Sequence, residues 1–112
     1  MIKILLALVL MTLSNTASSW AGDSELFDGN KLFEHCDTDG ANWSNGVCYG
    51  YVVGTYDRGR YDSVGVCIPD GVSVKQLIDL TTNYLRDNPQ LRHKPADLLI
   101  GSSWYEAWPC PE

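Results

Sequence analysis

The hydrophobic positions from Ser73 onward repeat with a helical period. Val74, Leu77, Ile78, Thr81, Tyr84 and Leu85 form an apolar stripe at helical spacing. Ser73 and Gln76 make a capping box in front of it, Val72 is placed to staple onto Leu77, and Asn88-Pro89 stops it. A second stripe runs through Ala96, Leu99, Ile100, Ser103, Trp104, Ala107 and Trp108, with Pro95 suited to the first helical position and Pro109 to the end. Upstream, a short helix is predicted from about Asp28 or Asn30, either of which can cap, to Cys36, burying Leu32, Phe33 and Cys36. Asp37 to Gly46 is dense in turn formers and reads as a loop. Val47 to Asp57 is ambiguous. Tyr49, Tyr51, Val53 and Thr55 alternate as a strand does, whereas Gly50 and Gly54, four apart, would make a smooth strip on a helix. Arg58 to Asp70 reads as a second loop, broken by Gly59, Gly65 and Pro69, and Gln90 to Lys94 as a third.

The first residues follow another pattern. Met1-Ile2-Lys3 is a short positive start, Ile4 to Leu13 is apolar except for Thr12, and Ser14 to Ala21 is small and polar, closing on Ser19-Trp20-Ala21. That is the layout of a secretory signal peptide over residues 1–21, cut after Ala21. The apolar run is far shorter than the roughly 20 residues a membrane-spanning helix needs. Cleavage leaves one domain, residues 22–112, opening on a lead-in from Gly22 to Phe27. The whole chain carries 8 basic and 14 acidic side chains, a formal charge of −6, and loss of Lys3 lowers it further. Such a balance excludes nucleic acid as a partner.

Cys36, Cys48, Cys67 and Cys110 all lie in the mature part, with no C-x-x-C pair among them. Zinc and thioredoxin-like redox sites use such pairs, so two structural disulfides are expected. The last two helices are joined by a short loop and should lie antiparallel, which sets Cys67, ahead of one, beside Cys110, behind the other. Cys36 closes the first helix one loop away from Cys48 at the start of the next element. Cys36–Cys48 and Cys67–Cys110 are therefore the expected pairs.

Catalytic chemistry is hard to assemble from what remains. His35 sits at a helix end, where an imidazole suits the dipole, and His93 precedes Pro95, where it could help cap a helix. Neither has a second His or a carboxylate at ligand spacing, so no metal and no cofactor are expected. Disulfides leave no thiol for a Cys–His pair, the serines lack a nucleophile elbow, and the acids are scattered. The chain reads as a non-enzyme. One cluster stands out: Tyr56, Asp57, Arg58, Arg60, Tyr61 and Asp62 crowd a loop read as exposed. Tyr and Arg carry much of the energy at protein interfaces, which makes this cluster the candidate partner-binding surface.

The ordered set Cys48-Tyr-Gly50-Tyr-Val-Val-Gly54, Cys67-Ile-Pro69, Gly71-Val, Gln76-Leu, Tyr84-Leu-Arg-Asp-Asn-Pro89, Leu91-Arg-His, Pro95-Ala and Ala107-Trp-Pro-Cys110-Pro resembles the Rap/Tai family of type VI secretion immunity proteins. The match runs from about Leu32 to Pro111. The resemblance implies an all-α, four-helix, disulfide-containing periplasmic domain, and it tips Val47 to Asp57 to helix. It also implies a homodimer that binds and blocks a peptidoglycan-cleaving amidase delivered by neighbouring cells. The shared positions are cysteines, glycines, prolines and core residues, so no toxin-contacting residue transfers with it. A small acidic periplasmic chaperone or stress protein, helical and disulfide-bonded, is the competing expectation.

Overall fold

The computed structural model describes residues 26–40, 42–59 and 64–112. The expected signal peptide, residues 1–21, lies outside the described residues, as do Arg60, Tyr61 and Asp62. The described residues form four α-helices: α1 (Gly29–Cys36), α2 (Trp43–Arg58), α3 (Val74–Asp87) and α4 (Ala96–Ala107). A single 3₁₀ turn, Pro89–Leu91, joins the last two. The described residues form no strand, only the isolated bridges Asp28–Pro95 and Val66–Pro109.

Each helix start has a local cause. Asp28 caps α1 by accepting from the Lys31 amide at 2.8 Å. Ser73 and Gln76 close the expected capping box on α3, at 3.2 and 2.8 Å. α2 begins four residues before the expected Val47. Asn42 accepts from the Asn45 amide at 3.0 Å, which draws Trp43 to Gly46 out of the expected loop and into the first turn. Ser44 and Asn45 are also tied to the end of α1, through His35 Nδ1 at 2.9 Å and Thr38 Oγ1. These contacts offset the poor helix propensity of a Ser-Asn-Gly run. Pro95 stands just before α4 rather than at its first helical position and makes no capping bond; Asp97, not His93, supplies a side-chain acceptor in the first turn, taking the Leu98 amide at 2.9 Å.

The core is built on α3 and α4. Trp104, Leu99, Ile100, Leu85, Leu32 and Val52 are buried almost completely. Trp104, near the end of α4, donates its indole N–H to the carbonyl of Leu77, near the start of α3, so the pair is antiparallel as expected. Thr81 and Ser103 face each other across the same seam at 3.5 Å. α3 packs against all three other helices. Thr82, which the single stripe omitted, is buried for that reason, and its hydroxyl bonds back to the Ile78 carbonyl at 2.8 Å. The α4 stripe holds from Ala96 to Trp104, after which Ala107 turns out to solvent.

Both disulfides pair as expected, Cys36 with Cys48 and Cys67 with Cys110, their Cα atoms 5.0 and 4.8 Å apart. The second is reinforced by backbone bonds from Cys67 N–H to Trp108 O and from Cys110 N–H to Gly65 O, each 2.8 Å. The entry segment is anchored more firmly than its sequence suggests. Phe27 stacks on Tyr51 at 5.0 Å and on His35 at 5.7 Å, and its carbonyl accepts from Ala96 N–H.

Candidate functional site

Tyr56 and Asp57 lie in the last turn of α2, inside the stretch expected as helix, and Arg58, expected in the loop, extends that turn by one residue before Gly59 ends it. Arg58 reaches across to α4 and donates to Asp97 at 2.8 Å, with most of its side chain still in water. Asp57 is exposed. Tyr56 is 44% exposed, yet one edge of its ring meets Trp104 at 6.2 Å between centroids. It therefore belongs partly to the core.

This helix end separates two depressions. On one side, Val53, Tyr56 and Asp57 face Ile68, Pro69 and Val72 across a cavity of about 310 Å³. On the other, Arg58 stands at the rim of a wider groove of about 940 Å³, whose walls include Val64, Val66, Leu98 and Tyr105. Gly65, at φ +85°, bends the chain there and lies against the Tyr105 ring, leaving Val64 outside and Val66 buried. Arg60, Tyr61 and Asp62 lie between Arg58 and Val64 in sequence, outside the described residues.

Sequence reasoning missed the α4 half of this surface. Leu98 and Tyr105 are about half exposed, on the face opposite Leu99, Ile100 and Trp104. Their spacing of two helical turns was the available signal, hidden behind the stronger core stripe. Trp43, 83% exposed at the start of α2, was missed as well because that turn was read as loop. Gly50 and Gly54 are exposed, and nothing lies within 4 Å of a Cβ placed at either, so they serve no close packing among the described residues.

Among the described residues no three His, Cys, Asp or Glu side chains gather as a metal site, and all four cysteines are in disulfides. No helix among them is long and apolar enough to cross a membrane. The class these features define is a small all-α domain stapled by two disulfides. The chain belongs to the Rap1a immunity proteins, whose family model matches residues 28–110. Membership implies an immunity function against a secreted effector protein. No curated protein and no solved structure matches the chain.

Proposed function

We propose that this chain is an exported, periplasmic immunity protein that binds a type VI secreted peptidoglycan amidase and blocks it sterically, without catalysis of its own. Family membership over residues 28–110 is the observation that carries the reading. The amidase, the delivery route and a homodimeric state come from the resemblance to the Rap/Tai family. Two disulfides fit an oxidising compartment such as the periplasm, and residues 1–21 would be the signal that sends the chain there.

An inhibitor of this kind needs a rigid surface with exposed anchors, because a preorganised surface loses little freedom on binding. The end of α2 supplies one, with Tyr56, Asp57 and Arg58 leading into Arg60, Tyr61 and Asp62. The test is hydrolysis of purified peptidoglycan at neutral pH by a purified amidase of the type VI effector class, with and without the mature protein. Stoichiometric inhibition supports the proposal. Undiminished hydrolysis, with the mature chain instead holding unfolded proteins soluble in acid, would replace it with the chaperone reading.

A further inference from the structure

α4 is apolar on both faces. Its inner stripe is fully covered, whereas Leu98 and Tyr105 on the outer face are 55% and 54% exposed, and Val64 beside them is 68% exposed. A surface helix in a small domain normally sets polar residues opposite its core stripe. Between Leu98 and Tyr105 the helix carries Gly101 and Ser102, and a Cβ at Gly101 would have no described atom within 4 Å. The result is a notch with large apolar shoulders, inside the groove of about 940 Å³. Two carboxylates, Asp97 and Glu106, stand on its lining. Arg58 engages Asp97, and Glu106 makes no ion pair among the described residues.

We infer that this groove is the docking surface for the secreted effector, and that it takes a segment presenting an apolar side chain flanked by Lys or Arg. The inference rests on the proposed function and adds the face and the chemistry of the contact. Charge selects the occupant. Two copies of this chain meeting through the groove would set Asp97 and Glu106 rims face to face on molecules already acidic overall, −6 for the whole chain and lower without Lys3. A basic partner instead gains attraction at the rim while its apolar side chain covers Leu98, Tyr105 and Val64. The notch at Gly101 gives the contact a pocket, where binding energy concentrates.

Calorimetric titration of the mature protein against that same amidase tests the surface, with light scattering on every variant. A Cβ at Gly101 meets no described atom within 4 Å, and Gly101→Gln replaces a helix-interior glycine while its outer atoms fill the open notch, so the fold should hold. It should weaken binding at least tenfold, as should Leu98→Lys, which sets a cation against a basic partner. Wild-type affinity should fall with added salt, and Glu106→Lys should weaken it most at low salt. Wild-type affinity in both Gly101→Gln and Leu98→Lys overturns the inference while leaving the inhibitor reading standing, and so does an affinity indifferent to salt. A change of oligomeric mass in these variants with amidase affinity kept would give the groove to a second copy. Absence of binding by the wild-type chain defeats the proposed function, and this surface with it.

Discussion

Gly29 opens α1 where the chain passes closest to its neighbours. A Cβ there would strike Leu99 Cδ1 and approach the Cα and carbonyl of Arg92 to 2.9 Å. Backbone does not give way cheaply, so Gly29→Ala should cost about 1–3 kcal/mol in urea unfolding. The arginines of the domain divide by what they touch. Arg92 lies over the Phe33 ring at 3.9 Å and donates to the Leu85 carbonyl, closing the end of α3. Arg58 and Arg86 instead make exposed pairs with Asp97 and Asp37, worth about 0–1 kcal/mol each. Arg58→Ala with Arg60→Ala is consequently the cleaner probe of the binding cluster. Unfolding of that double variant should shift by no more than about 1 kcal/mol, while two lost anchors should cost about 2 kcal/mol or more of amidase affinity. Tyr56→Ala confounds the two, since its ring also packs on Trp104.

At the scale of the element, α2 is the helix whose sequence least resembles one. Gly46, Gly50 and Gly54 sit on it with no described atom within 4 Å of an added Cβ. Gly50→Ala and Gly54→Ala should each stabilise the mature protein by about 0.5–1 kcal/mol in urea, because they remove backbone freedom and meet nothing within the chain. Loss of stability at either would show that a partner surface needs the bare backbone. Legibility followed periodicity. The stripes of α3 and α4 and the Ser73 box were readable because the stripe side chains face a core and the Ser73 cap is local. The first turn of α2 was not: its Asn42 cap is local but sits among the turn formers Asp37 to Gly46, and its other support comes from His35 at the end of α1, a contact that a local pattern does not contain. The α4 groove was half readable: Leu98 and Tyr105 are visible in sequence, but the neighbours that turn them into walls arrive from the Val64–Val66 segment, over thirty residues earlier in the chain.

Two covalent links hold the whole molecule together where its helices alone form a modest core. In the loop-entropy account the Cys36–Cys48 closure contributes about 3 kcal/mol and the longer Cys67–Cys110 closure about 4, against a total of roughly 5–15 kcal/mol for a small domain. Replacing Cys67 and Cys110 together with Ser should therefore lower the urea midpoint more than replacing Cys36 and Cys48. A larger effect of the shorter link would mean that the hairpin of α1 and α2 organises the fold. Under the proposed periplasmic function the oxidised, stapled domain is also the form that meets the effector, which would tie stability to function. Inhibition of peptidoglycan cleavage by a purified amidase of the type VI effector class, the proposed partner, measured at neutral pH against increasing mature protein, tests the central claim most directly. Cleavage should stop once the mature chain equals the amidase in amount. Full cleavage in the presence of a large excess of folded, oxidised protein would contradict it.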